Sequence, residues 1–78
     1  MKNFDYYLNL TSEIGFVEKV NNSIIYADGL PLVKPEEVVL FETGESGMVM
    51  ALTSDMVEIL VFSKKFIRVG TRVVRTNE

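Results

Sequence analysis

Six short apolar runs, each bounded by turn-forming residues, follow one another along this chain. Branched and aromatic side chains are frequent in them, and such residues favour strands. Each run is shorter than a typical helix of about eleven residues, and Asn, Asp, Gly, Ser or Pro bounds it. The runs cover residues 14–20, 24–27, 38–41, 47–52, 56–62 and 69–74. This pattern predicts an all-β domain with about six strands.

The residues between the runs predict how the strands connect. The segment 21–23 is Asn-Asn-Ser, and Asn tolerates positive φ in a turn. The segment 53–55 joins two strongly apolar runs and predicts a hairpin. Closing such a sheet on itself removes its exposed edges. We therefore predict a small six-stranded antiparallel closed barrel over residues 13–76, with core candidates Val17, Val39, Met50, Leu52, Val57, Ile59 and Val61.

Two segments outside these strands carry weaker signals. Residues 1–12 are predicted to be an N-terminal extension, in which Phe4, Tyr6 and Leu8 alternate as in a strand. Phe4 and Leu8 also share one face of a helix, so both structures remain open for this extension. Residues 66–67 are predicted to form one helical turn that closes an end of the barrel.

The composition indicates one small domain that depends on its apolar core. The chain has 78 residues, of which 47% are hydrophobic, and it contains neither His nor Cys. No disulfide or Cys/His metal site therefore supports the fold. The side chains most used for proton transfer, thiol chemistry and soft-metal binding are absent as well. The high hydrophobicity fits a closed barrel and apolar surface covered by neighbouring subunits equally well.

The sequence also bears on where the protein is located. It shows no secretory signal and no apolar run long enough for a membrane span. The absence of Cys fits a reducing compartment. We therefore expect a cytoplasmic protein.

The charges are unevenly distributed along the chain. Residues 1–60 contain ten acidic and three basic residues, whereas residues 61–78 contain five basic residues and one acidic residue. The net charge is −3. A polarised surface suits head-to-tail contact between similar domains, although charges more often serve only to solvate a surface.

No motif in the sequence indicates a catalytic, nucleotide or metal site. The segment 44–47 is Gly-Glu-Ser-Gly, which lacks the Lys of a phosphate-binding loop and fits a hairpin turn. Glu36 and Glu37 are adjacent, so on a strand they face opposite sides and would not share one cation. We expect both to lie at the surface, and Met48 and Met50 to fill the core or contact another barrel. The glycines assigned to turns or to close strand approach are Gly29, Gly47 and Gly70.

The order and spacing of glycines and apolar residues resemble a known family. The pattern reads Glu13-Ile14-Gly15-x-Val17-x-x-Val20, Ile24, Gly29-Leu30, Glu37-Val38-Val39-x-Phe41, Gly47-Met48, Leu52, Val57, Val61-Phe62, Gly70 and Val73-x-Arg75-Thr76. It resembles the amino-terminal β-barrel of the alpha subunit of rotary ATP synthases, the F-type ATPases. The turn at 21–23, where the family usually has Gly-Asp-Gly, indicates a divergent member.

This resemblance implies a role in assembly. In that family, six barrels from alternating alpha and beta subunits form a crown that holds the hexamer together, whereas catalysis occurs elsewhere. The expected function is a non-catalytic crown barrel within a complex that couples ATP synthesis or hydrolysis to rotation. No cofactor is expected in this domain, and ATP or ADP with Mg is expected in the full-length subunit. Residues 77–78 are then a tail or the start of a linker to a nucleotide-binding domain.

The resemblance also implies partners and a location. Beta subunits of an F-type ATPase are the expected partners, and the complex would associate this chain indirectly with the cytoplasmic face of a membrane. Arg68, Arg72 and Arg75 are candidates for the rim of the contact between barrels. Because contacts between barrels bury little area, the isolated domain is expected to be monomeric or weakly associating.

Nucleic-acid binding by an OB-like barrel is the alternative function. In that case Phe66 would stack on a base, and the basic residues would follow the phosphates. These basic residues are Lys64, Lys65, Arg68, Arg72 and Arg75. The acidic net charge and the absence of Trp favour the crown barrel, so no nucleic-acid partner is expected.

Overall fold

The computed structural model describes residues 2–63 and 65–78 and contains one helix and six strands. Each predicted apolar run overlaps one strand, and the predicted all-β closed antiparallel barrel is confirmed. The elements are α1 (Phe4–Thr11), β1 (Ile14–Asn21), β2 (Ile24–Asp28), β3 (Val38–Phe41), β4 (Ser46–Leu52), β5 (Val57–Val61) and β6 (Arg72–Arg75).

The last strand closes the barrel. The strands are hydrogen-bonded in the order β1-β2-β5-β4-β3-β6, and β6 pairs antiparallel with both β1 and β3. Val74 lies opposite Ile14 on one side and opposite Leu40 on the other. Both edges of this short strand are therefore used, which leaves the sheet without an unpaired edge there.

Side chains that alternate along the strands fill the barrel. Every second residue of β2 and β5 is buried, as expected for strands with one face toward a core. Five predicted core residues are buried: Val17, Val39, Val57, Ile59 and Val61. Ile25, Ala27, Val49 and Val73 join them in the same cluster.

The other two predicted core residues are exposed, so those predictions were wrong. The register between β4 and β5 shifts between Val49 and Ala51, which makes Met50 the extra residue of a β-bulge. Its side chain is 51% exposed. Leu52 ends its strand beside the 53–56 turn and is 45% exposed. A bulge changes which face each residue takes, and sequence alternation does not reveal it.

The N-terminal segment forms a helix that packs against the outside of the barrel. The side chain of Asn3 accepts a hydrogen bond from the backbone N–H of Tyr6 at 2.9 Å, which caps the helix. The helix ends at Thr11 and is followed by Ser12, whose φ of 56° is left-handed. Tyr7 is buried against Leu40 and Val74, two outward-facing residues of the barrel. Within the described residues, no helix is long and apolar enough to cross a membrane.

The connection before β6 differs from its prediction. The run at 69–74 is only partly a strand, because residues 69–70 form a turn and β6 begins at Arg72. The helical turn predicted at 66–67 is absent from the described chain. Ile67 is buried, whereas Phe66 is 75% exposed.

Gly47 lies where two strands approach too closely for a side chain. A Cβ atom at this position would lie 2.7 Å from Ile59 Cγ2 and 2.7 Å from the Leu60 carbonyl oxygen. Ile59 is fully buried and has little room to move. We expect Gly47→Ala to lower the free energy of unfolding by about 1–3 kcal/mol, measured by urea denaturation. Ser46→Ala, on the outer face of the same strand, should change it by no more than about 0.5 kcal/mol. Equal stability of the two variants would contradict this reading.

Candidate functional site

A row of apolar side chains crosses four neighbouring strands on the outer wall of the barrel. Ile24 of β2 lies opposite Leu60 of β5, and Leu60 lies opposite Met48 of β4. Met48 in turn lies opposite Val38 of β3. Residues directly opposite each other share one face of a sheet, and all four are half-buried beside fully buried neighbours. We call these four residues the outer row.

The opposite side of the barrel carries a similar apolar surface that the chain itself covers. There, Ile14, Leu40 and Val74 project outward from β1, β3 and β6, and α1 packs over them. In the closed order of strands, β5 is the third strand from β6 in either direction. The middle of the outer row, at Leu60 and Met48, therefore lies on the side of the barrel away from α1, whereas Val38 lies on β3, the strand that also carries Leu40 beneath the helix. The part of the chain that the structure describes places no helix over the outer row.

The outer row was missed at the level of sequence, where Met48 and Met50 were assigned together to the core or to a contact between barrels. The structure separates them, since Met48 belongs to the outer row and Met50 lies in the bulge. The sequence does carry one indication of an apolar outer surface. The apolar runs at 47–52 and 56–62 contain few polar residues, so apolar side chains occupy both faces of these strands. Strand register decides which of these side chains are neighbours, and register is not visible in one sequence.

The three predicted rim residues occupy different environments. Arg68 is exposed in the connection between β5 and β6. Arg72 is exposed at the start of β6, where its Nε lies 3.3 Å from Glu42 Oε1 and its guanidinium lies over the Phe4 ring. Arg75 is only 7% exposed and binds groups within the chain, so it does not have the exposed position expected of a rim residue. The structure thus does not bring the three arginines together.

Arg75 is the centre of a buried network of hydrogen bonds. Its Nε and Nη2 donate to the two carboxylate oxygens of Glu37 at 2.9 and 3.1 Å. Its Nη1 donates to Glu13 Oε2 at 2.9 Å, and Nη2 also donates to Asn77 Oδ1 at 3.2 Å. Two carboxylates thus surround one guanidinium. Glu37 is buried, so the expectation that it lies at the surface was wrong.

The surroundings of Glu37 favour its ionised form. Burial alone raises the pKa of this carboxyl, but hydrogen bonds from Arg75 and from the backbone N–H groups of Asn77 and Lys34 outweigh that effect and lower the pKa below its usual value. The hydrogen bond to Glu37 likewise raises the pKa of Arg75. The network is therefore ionised at neutral pH and serves structure.

The predicted charge polarity runs along the barrel axis. One end carries the β1–β2 turn, the β3–β4 turn and the β5–β6 connection, and here we call it the basic end. Lys65, Arg68 and Arg72 lie there, with Glu42 and Glu45 as partners of Arg72 and Lys65. Lys64 lies outside the described residues. The other end carries most of the acidic side chains, namely Glu13, Asp28, Glu36, Glu37, Asp55 and Glu78, with Lys34 and Arg75.

The glycines singled out in the sequence lie at three different kinds of position. Gly29 has φ +83°, and a Cβ there would lie 2.8 Å from the carbonyl oxygen of Ile14. Gly47 is held by close strand approach, and Gly70 has φ +92° in the turn before β6. None of the three lines a cluster of chemically reactive groups. Across residues 2–63 and 65–78, no group of three metal-ligating side chains converges.

Comparisons with known proteins point to one kind of relative. The chain is 38% identical over 68 residues to the ATP synthase subunit alpha of Ureaplasma parvum, which covers 86% of this chain and 8% of that protein. It is 32% identical over 77 residues to the subunit alpha of Orientia tsutsugamushi, covering 97% of this chain and 15% of that protein. It is 29% identical over 79 residues to the ATP synthase subunit alpha of Dictyoglomus thermophilum, covering 100% of this chain and 15% of that protein.

These relatives are much longer than the present sequence. The chain spans 8% to 15% of the length of the relatives named above. No protein-family model matches it. The matches nevertheless cover most of this chain, so it is homologous to a short part of ATP synthase alpha subunits.

The buried network yields a prediction about acid stability. Because the native pKa of Glu37 is lowered, its charge contributes stability above the ordinary carboxyl pKa of about 4.3. That contribution is lost as the pH falls through the lowered native pKa. At neutral pH we expect Glu37→Gln to reduce the free energy of unfolding by about 1–3 kcal/mol, since Glu13 still pairs with Arg75. The difference in the free energy of unfolding between this variant and the unaltered chain should become smaller at acidic pH.

Urea denaturation at neutral and acidic pH measures this difference. Glu42→Gln is the matched control, because Glu42 pairs with an exposed arginine and such pairs contribute about 0–1 kcal/mol. If Glu37→Gln lowered the free energy of unfolding equally at both pH values, the charge of Glu37 would not be the cause of the lost stability.

Proposed function

We propose that this chain, which is homologous to part of ATP synthase alpha subunits, acts as a non-catalytic crown barrel. In this role it contacts the barrels of neighbouring subunits and holds a hexamer together. The complex would couple ATP synthesis or hydrolysis to rotation, with beta subunits as the neighbours of this chain. Residues 13–76 would form the barrel domain, and residues 77–78 a tail or the start of a linker.

The uncovered outer row is the observation that supports this proposal most directly. Four aliphatic side chains on adjacent strands remain partly exposed to water, and burying apolar surface is worth about 25 cal/mol per Å². The strip curves with the barrel because it crosses four of the six strands, and its middle, at Met48 and Leu60, would face the wall of a neighbouring barrel. Contacts between such small barrels bury little area, and interfaces below about 1,200 Å² are usually weak. The isolated chain would then be monomeric or weakly associating.

The position of α1 also fits a ring. A closed ring of barrels needs two different contact surfaces on roughly opposite sides of each barrel. The middle of the outer row, at Leu60 and Met48, would provide one, and the flank that α1 covers would provide the other. Tyr6 and Leu10 are 46% and 58% exposed on that helix, so the flank also offers apolar contacts to a neighbour.

The nucleotide chemistry would belong to the rest of the subunit. The sequence lacks a phosphate-binding loop, and we place ATP or ADP with Mg in the full-length subunit. The chain would then lie at the cytoplasmic face of a membrane through the complex.

An OB-like nucleic-acid barrel is the second candidate. The exposure of Phe66 next to Lys65 and Arg68 is the observation that favours it. These residues lie at one end of the barrel, whereas the outer strand faces carry the aliphatic outer row. OB-type barrels bind nucleic acid over strand faces as well as loops, so this arrangement favours the crown barrel.

Charge placed in the outer row tests the crown proposal. In the subunit that carries this sequence, co-expressed with its nucleotide-binding partner, we expect Leu60→Glu to prevent hexamer formation, because a carboxylate would be buried in an apolar contact. Size-exclusion chromatography with light scattering measures the assembly. Deleting residues 13–76 should abolish the hexamer too.

Two controls accompany this experiment. Val69→Glu also places a carboxylate at an exposed apolar position, but in a turn at the basic end, and it should leave assembly intact. Reversing the charge of Arg68 should weaken assembly only slightly, by about 0–1 kcal/mol. Normal hexamers from the Leu60→Glu subunit would reject the outer row as the contact.

The absence of a phosphate-binding loop from the sequence gives a second test. Titration calorimetry of the isolated chain with Mg-ATP should detect no binding heat, because neither a Gly-rich phosphate cradle nor its Lys is present. A micromolar dissociation constant would show an unrecognised nucleotide site and overturn the scaffold role.

A further inference from the structure

A small cleft with an apolar floor opens at the basic end of the barrel. The buried side chains of Ile25, Val61 and Ile67 form its floor, and the exposed ring of Phe66 forms one wall. Its volume is about 320 Å³, at the lower end of the range of about 300–1,000 Å³ for ligand pockets. A cleft of this size admits one or two large side chains. Phe62 and Val69, 59% and 64% exposed, extend the apolar surface on the same connection.

The connection that lines one side of this cleft is rich in basic residues. Lys65 lines it, and its Nζ is 3.9 Å from Glu45 in a pair whose lysine side chain is 78% exposed. The Glu45 side chain is only 10% exposed, so the lysine is the member of the pair that is open to a further anionic partner. Arg68 is exposed on the same connection, which contains no acidic residue between 62 and 71. In a chain with a net charge of −3, this is a local reversal of sign.

We propose that the basic end docks an acidic segment of a partner protein, which inserts a bulky apolar side chain into the cleft beside Phe66. A buried apolar anchor provides most of the affinity in such a contact, and the surrounding charges provide orientation and specificity. The site is separate from the outer row, which lies on the barrel wall. The proposed docking at this end does not depend on the crown proposal.

Chemistry favours a protein segment over the other anionic partners. The floor of the cleft is aliphatic, and Phe66 is the single aromatic residue among the described residues that line it, whereas nucleic-acid sites stack successive bases on several aromatic side chains. The cleft is also recessed, whereas insertion into a membrane interface uses side chains that protrude from a broadly basic surface. Ser63 and Asn22 at the rim supply groups that can hydrogen-bond to a peptide backbone.

A short synthetic peptide tests this docking site. The probe has a central Leu-Phe pair flanked by Asp and Glu, and it is titrated into the isotope-labelled chain at low salt while amide NMR signals are recorded. We expect submillimolar binding that shifts the signals of Ile25, Val61 and Ile67 and weakens as salt is added. Two comparison peptides replace either the acidic residues by Lys or the Leu-Phe pair by Ser, and neither should bind there.

Variants of the chain locate the contact. Phe66→Ser should weaken binding of the acidic peptide roughly tenfold, the change expected from losing an aromatic contact of about 1.4 kcal/mol. Arg68→Glu should weaken it and reduce its salt dependence. Phe16→Ser is the matched control, because Phe16 is an exposed Phe on the outer face of β1, away from the cleft. This variant should bind the peptide as the unaltered chain does.

Several results would overturn the proposal. The first is that millimolar acidic peptide shifts no NMR signals. The second is that the Lys peptide binds as well as the acidic peptide, and the third is that the shifted signals belong to residues outside the cleft. Tight, salt-dependent binding of oligo(dT) at Phe66 would assign the site to nucleic acid. Binding to vesicles of phosphatidylcholine and phosphatidylglycerol would assign it to a membrane, and signals that shift with protein concentration alone would assign it to a second copy of this chain.

Discussion

Closure of the barrel by β6 is the constraint on which the rest of the structure depends. This strand has four residues, yet it pairs with β1 on one edge and β3 on the other. Its side chains pack on both faces of the sheet, since Val73 lies in the barrel core and Val74 lies beneath α1. Without β6 the first and third strands would both have open edges, and the helix would lose part of its packing surface.

The buried network at the end of β6 makes this closure specific. Arg75 binds Glu13, which precedes β1, and Glu37, which precedes β3, so the two strands that flank β6 are held by one side chain. Buried ion pairs often add little net stability, because removing charges from water offsets their attraction. Here the donors of Arg75 reach three partners at 2.9 to 3.2 Å. We infer that the network chiefly selects the correct register and disfavours alternatives.

Two apolar outer surfaces distinguish this barrel from one that is simply solvated. The chain covers one of them with α1, and the outer row, which runs from β2 to β3, remains half-exposed. Most charged side chains lie at the two ends of the barrel, with Glu18, Lys19 and Glu58 on the strands of the wall. Side-by-side contacts can therefore be mainly apolar, while the ends differ in charge. This separation would let the proposed lateral assembly and the proposed docking at the basic end use different chemistry on one small domain.

The sequence by itself determined the strands, most of the turns and the closed barrel, because hydrophobic alternation and turn residues act over a few positions. It also carried the relationship to ATP synthase alpha subunits, through the spacing of glycines and apolar residues. It predicted the burial of Val39 and Ile59 but not the exposure of Met50, which depends on a bulge. Tertiary structure alone decided that Arg75 is buried against Glu37, a residue 38 positions earlier, and that four strands align the outer row. These features arise from long-range pairing, where the partner of a residue is set by strand register and not by its neighbours in the chain.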